Sequence, residues 1–155
     1  MKKISLFLTS AVLMVGLSSM AVAKNNTPHH IDKRLLGHWK VIGCQLNKVW
    51  LPREIFMMFR YNIKDGAFKI NWADLSFPNW VGSFPKSSTG EIHGGYDGRN
   101  IDFIPDKGPH AGKTFKGIYE LDHDILKANF GFPGHKRPLS FAAQDGQVYE
   151  VWQRI

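Results

Sequence analysis

Asp122-His123-Asp124 sets two carboxylates around an imidazole, residue types that can hold a divalent metal or pass a proton. Either chemistry needs further ligands converging from other segments, and the neighbouring sequence supplies none. The flanks, "GIYEL" and "ILKANF", alternate apolar and polar residues as strands do. Asp and His also tolerate left-handed backbone better than most residues. The triplet therefore reads as a hairpin turn. A two-residue loop at Asp122-His123 sets Leu121 opposite Asp124 and pairs Tyr119 with Leu126, Gly117 with Ala128 and Phe115 with Phe130. Lys116, Glu120, Lys127 and Asn129 then point outward.

Other candidates fail on spacing. "GPHAGKT" imitates a phosphate loop, but the first glycine would have to stand where the chain has Lys107, and no helix follows Thr114. His38, His93, His110, His123 and His135 stand singly, without zinc-type spacing, and His29-His30 lie in a polar stretch. No Ser or Cys sits in a nucleophile elbow, so neither a catalytic residue nor a metal or other cofactor is expected. Cys44, the single cysteine, reads as an inert, at least half-buried thiol.

The elements that must position these residues are strands. In "MFRYNIKDGAFKINW", Asp65-Gly66 suits a type I′ turn and pairs Ile63 with Phe68, Tyr61 with Ile70 and Phe59 with Trp72. Asn47-Lys48 joins "HWKVIGCQ" to "VWLP", and Pro52 to Phe56 suit one helical turn. Asp145-Gly146 is expected to join "PLSFAAQ" to "QVYEVWQR", and further strands to cover "WVGSF" and "NIDFIP". No amphipathic helix of ordinary length and no long-period repeat is visible. The expectation is an all-β domain over residues 35–155, an antiparallel up-and-down barrel of about eight strands with one short helical turn after the first hairpin.

That barrel singles out an interior polar group. The last hairpin would set Ala143 opposite Val148, Phe141 opposite Glu150 and Leu139 opposite Trp152, so Glu150 faces inward with Arg154 and, by alternation, Arg137. A buried carboxylate needs a partner, so Glu150 is expected to meet an arginine, as a structural pair or as a ligand anchor. In "NWADLSFPNWVGSFP", Trp72, Phe77, Trp80 and Phe84 form either an apolar lip or ordinary loop packing. The candidate ligand contacts are Tyr61, Trp72, Trp80, Tyr119, Arg137 and Glu150. The number of inward aromatics points to a small or filled interior.

Met1-Lys2-Lys3, an apolar run from Ile4 through Leu17 and Ala21-Val22-Ala23 follow the order of an export signal. Cleavage after Ala23 would leave a polar leader over 24–34 and a chain without a stable membrane insertion, periplasmic or secreted. The formal charge of +7 falls to +5 without Lys2 and Lys3, and no like-charge block suggests a nucleic-acid surface. With one cysteine no internal disulfide can form, so stability must come from packing, in keeping with 13% aromatic residues.

Gly37-His38-Trp39 at the start of the first strand, with Arg154 in the last, resembles the calycin pattern. In lipocalins the glycine-x-tryptophan motif closes one barrel end and a late arginine packs on the tryptophan, which implies the same structural role for Gly37, Trp39 and Arg154. The chain is more closely similar to an uncharacterised bacterial lipocalin-like domain best known from planctomycetes. The similarity rests on Leu35-Leu36-Gly37-His38-Trp39, Ile101-Asp102, Gly112-Lys113-Thr114, Gly117-Ile118-Tyr119-Glu120-Leu121, Asp124 and Leu126, Arg137-Pro138 with Phe141, and Gln153-Arg154. Two departures stand out. His123 replaces a customary glycine, and a longer polar "KSSTGEIHGGYDGRN" precedes Ile101, suggesting a flap or mobile loop. The resemblance implies a fold and no particular activity. The functional expectation is a monomeric, non-catalytic barrel binding a small apolar or amphipathic molecule. The alternative is an envelope interaction protein with a filled barrel whose loops meet a protein partner.

Overall fold

The computed structural model describes residues 31–71, 87–94 and 99–155. Its strands are β1 (Gly37–Leu46), β2 (Val49–Trp50), β3 (Arg60–Lys64), β4 (Ala67–Asn71), β5 (Ser87–Gly94), β6 (Asn100–Pro105), β7 (Phe115–Asp122), β8 (Ile125–Gly131) and β9 (Gln147–Arg154). β1 and β3 to β9 pair antiparallel, each with its neighbour in chain order, and β9 returns to β1, closing an eight-stranded up-and-down barrel. β2 hangs on the end of β1, and one short helix, α1 (Arg53–Phe56), follows it. Closure matters physically because it leaves no unpaired strand edge in the barrel wall.

Turn chemistry sets two of the registers. Asn47 and Lys48 have φ of 48° and 70°, Asp65 and Gly66 of 50° and 77°, and each pair links its strands through the two-residue loop read from the sequence. Lys64 faces Ala67, Ile63 faces Phe68 and Tyr61 faces Ile70. Behind them the side chains alternate: Tyr61, Ile63, Phe68 and Ile70 are buried, and Arg60, Lys64 and Lys69 are exposed.

β1 breaks that alternation once. Val41 pairs with Trp152 and Gly43 with Val151, so Ile42 is the extra residue of a bulge. The bulge lets Trp39 and Val41 point inward on one side of it and Cys44 on the other. Without it, Trp39 and Cys44, five positions apart, would face opposite sides of the wall.

Three sequence expectations need correction. The β7–β8 loop is His123-Asp124, one residue later than expected, with Asp122 opposite Ile125, Leu121 opposite Leu126, Tyr119 opposite Ala128 and Gly117 opposite Phe130. Only His123 has positive φ, 52°. The slip preserves every facing, because each strand keeps its inward parity. Secondly, "PLSFAAQ" forms no strand. β9 pairs with β8 and β1, and residues 132–146 cross the outer surface instead, where Ser140 O accepts from Asn129 Nδ2 and Leu139 O from Arg99. The expected pairs Ala143–Val148, Phe141–Glu150 and Leu139–Trp152 therefore do not form.

Thirdly, much of the supposed flap is β5, paired to β4 and β6. Its inward positions, Ser88, Gly90, Ile92 and Gly94, include one large apolar residue, so the strand has no visible hydrophobic alternation. Gly90 is required by close approach: a Cβ there would lie 2.2 Å from the Ile104 carbonyl oxygen. The "WVGSF" strand, the Phe59–Trp72 pair, Trp80, Phe77, Phe84, His29-His30 and the signal segment lie outside the described residues.

One end of the interior is filled. A 3-10 turn at Lys33–Leu35 buries Leu35 against the barrel, and Trp39 Nε1 donates to Leu35 O at 2.9 Å. Asp32 caps that turn and accepts from the Tyr119 hydroxyl at 2.9 Å, which ties the end of the expected leader to β7.

Candidate ligand site

Midway along the barrel, aromatic rings cross the interior. Tyr61 stacks on Trp152 with centroids 4.0 Å apart, and Phe103 packs on Phe130 at 4.8 Å and on Phe68 at 4.6 Å. Trp39 and Leu35 fill the space on one side of this layer. On the other side lies a cavity of about 170 Å³, reached by the second half of β1 and by the β6–β7 connection. Its wall carries Phe68, Phe103 and Phe130. Lys107, Pro109 and His110 line it from the connection.

The barrel registers explain what polar groups meet there. Glu150 on β9 lies opposite Cys44 on β1 and Ala128 on β8. Glu150 is 5% exposed. Tyr61 Oη donates to its Oε2 at 2.7 Å, and Trp152 Nε1 donates to the same oxygen at 2.8 Å. Oε1 has the Cys44 thiol at 4.0 Å, a weak contact.

These environments set the charge states. Burial raises the Glu150 pKa, while the Tyr61 and Trp152 hydrogen bonds pull it back down. Burial first, then the Glu150 carboxylate, pushes the Cys44 thiol well above its usual range, the reverse of an activated nucleophile. Tyr61 is likewise raised by burial and by Glu150, so its hydroxyl stays a donor. His110 packs edge-on to Phe115 with centroids 5.3 Å apart, and its Nδ1 is buried without a hydrogen-bond partner among the described residues.

The candidate residues scatter accordingly. Tyr61 and Glu150 come together at the cavity floor. Tyr119 is buried but bonds Asp32 at the filled end. Arg137 is not inside: it pairs with Asp102 on the outer face of β6, at 2.6 and 3.0 Å, and donates to the Gly117 carbonyl. Among the described residues Glu150 therefore meets no arginine, and its strong partners there are the tyrosine and tryptophan donors. The reason is topological, since residues 132–146 carry Arg137 over the outer wall. Trp72 and Trp80 lie outside the described residues.

At the filled end, Arg154 Cζ lies 4.2 Å from the centroid of the Trp39 ring. Arg154 also donates to Leu36 O and Arg34 O at 2.8 and 2.6 Å. Gly37 has φ of 125°, and a Cβ there would stand 3.1 Å from an Arg154 guanidinium nitrogen. His123, the imidazole of the acidic triplet, is almost fully exposed and touches Asp122 Oδ1 at 2.6 Å. Among the described residues no group of three or more His, Cys, Asp and Glu side chains is placed to hold a metal ion.

Sequence reasoning missed Cys44, Phe103 and His110 as cavity residues. Cys44 was hidden by the bulge, because unbroken alternation from Trp39 would have pointed it outward. No family model matches the chain, nor does any curated protein or solved structure.

Proposed function

We propose that this lipocalin-like barrel is exported and binds one small apolar or amphipathic molecule in the cavity beyond the aromatic layer. The observation that carries the reading is the cavity itself: aromatic walls, one interior carboxyl, and a volume of about 170 Å³. Protein cavities of roughly this size, about 150 Å³, accept a single aromatic ring. The closed wall supports the same reading, because a rigid, pre-formed site loses little order on binding.

Native mass spectrometry of the protein purified from its own envelope or medium tests this. A retained small molecule, released on denaturation, is the expected result. Finding neither a retained molecule nor displacement of an apolar dye would overturn it. Export has its own test: N-terminal sequencing of the exported chain should begin at Lys24, and another start or retention in the membrane would reject that part.

A second reading, a protein-interaction barrel, is favoured by one observation. Trp50 and Val49 on the β2 appendage are more than half exposed, with Trp50 packed edge-on against Tyr149 at 6.1 Å. Trp50→Ala should then abolish capture of a protein partner without affecting binding in the cavity.

A further inference from the structure

We infer that the ligand of this cavity carries a cationic amine on a body about one ring in size, and that the amine is held by Oε1 of Glu150. The inference rests on the cavity-binding reading and names the class of molecule.

The geometry of the floor is asymmetric. Both protein donors, Tyr61 Oη and Trp152 Nε1, converge on Oε2. Oε1 is left with a thiol at 4.0 Å, too weak a donor to satisfy a carboxylate oxygen. Two fixed donors on one oxygen stabilise negative charge on the group, and a third donor is wanted at the other oxygen. A ligand ammonium supplies both the donor and the countercharge in a single charge-assisted bond.

The surroundings favour a cation there. Tyr61 and Cys44 are kept neutral by burial, so no protein charge at the floor competes with the carboxylate. The rings that line the cavity, Tyr61, Phe68, Phe103 and Phe130, offer π surface to a cation. Among the described residues, the other charged or titratable groups on the cavity are Lys107 and His110, contributed by the β6–β7 connection. They would serve an anion instead, which sets the main competing outcome.

Burial raises the Glu150 pKa and so favours on the carboxyl a proton that an ammonium must displace. Amine binding should therefore release protons, and a neutral isostere should not.

The test is isothermal titration calorimetry of the mature chain with benzylamine, benzyl alcohol, toluene and benzoate. Benzylamine should bind about tenfold or more tightly than benzyl alcohol, as one charge-assisted hydrogen bond allows. Its enthalpy should change with the ionisation enthalpy of the buffer, reporting proton release. Glu150→Gln, shown to be folded by its urea melt, should erase the preference for benzylamine over benzyl alcohol. If that variant does not fold, Glu150→Asp withdraws the carboxylate by one methylene and should weaken benzylamine alone.

Equal affinity for benzylamine, benzyl alcohol and toluene would overturn the amine assignment and leave the cavity reading standing. Tightest binding of benzoate would overturn it in favour of Lys107 and His110. Binding of none of the four would overturn both readings.

Discussion

The Arg154 guanidinium stacks on Trp39 at 4.2 Å while its nitrogens donate to the Leu36 and Arg34 carbonyls, so one side chain fixes the first strand, the last strand and the 3-10 turn. Trp39 and Arg154 are also direct neighbours in the β1–β9 pairing that closes the barrel. Trp39→Ala should cost about 3–5 kcal/mol, because a fully buried indole is lost. Arg154→Ala should cost about 2–3 kcal/mol, combining the stack with charged donors to carbonyls. The double variant should fall short of the sum by roughly 0.5 kcal/mol or more, since each single change already removes the shared contact. Denaturant melts of the three variants decide it, and strict additivity would break the link.

His123 sits at φ 52° in the two-residue loop, a backbone region that costs an ordinary residue about 1–2 kcal/mol. His123→Gly removes that cost and adds roughly 0.5–1 kcal/mol of chain entropy, so stability should be unchanged or higher by up to about 1.5 kcal/mol. His123→Val should lose about 1–2 kcal/mol, because branching at Cβ worsens the clash. A loss of ligand or metal binding in His123→Gly, measured by calorimetry, would return the acidic triplet to the list of functional sites.

Asp32 is the acid-sensitive link between the 3-10 turn and the barrel. Its pKa is held near 2, against 3.8 unperturbed, by the Arg34 side-chain hydrogen bonds first, then by the Arg34 backbone N–H and the Tyr119 hydroxyl. A depressed carboxyl contributes stability that is present above 3.8 and lost as pH falls towards 2. Arg34 is two-thirds exposed, so solvent screens much of the pair and the contribution is roughly 1 kcal/mol. Asp32→Asn should lower stability by about that much at neutral pH and converge with the parent near pH 2. Urea midpoints at several pH values give the comparison.

Local chemistry made the hairpins legible, and long-range geometry stayed hidden. The turns at Asn47-Lys48 and Asp65-Gly66 announce themselves because left-handed backbone is needed at two successive residues, which few pairs accept. His123-Asp124 was off by one because only its first residue is left-handed, so two placements satisfied the same strand alternation. β5 was invisible because Ser88, Gly90 and Gly94 occupy inward positions where a strand usually shows large apolar side chains. Asp145-Gly146 looked like a hairpin turn, yet the segment before it lies on the outer wall because β9 already has two partners in β8 and β1. For the site, alternation placed Tyr61 inside, and Glu150 was placed inside through a hairpin pairing with Phe141 that does not form. Their hydrogen bond crosses over β1, and no pattern within a single strand encodes a contact across 89 residues.

Glu150 gives the last prediction, which runs opposite in sign to that of Asp32. Burial raises its pKa above the unperturbed 4.5, so between 4.5 and its higher native value the folded protein holds a proton that the unfolded chain has released. Stability must then fall as pH rises through that window and level off above it, by about 1.4 kcal/mol for each unit of the rise. Glu150→Gln removes the titration while keeping the shape. Its carbonyl oxygen can accept from both Tyr61 and Trp152, and its amide can point towards the Cys44 thiol. The variant should match the parent near pH 4, become progressively more stable than it as pH rises above 4.5, and show no slope of its own from this site. Urea melts over that range measure it directly. A parent whose stability rises with pH across the same window would mean that Glu150 is ionised without penalty, because a neighbouring positive charge compensates it.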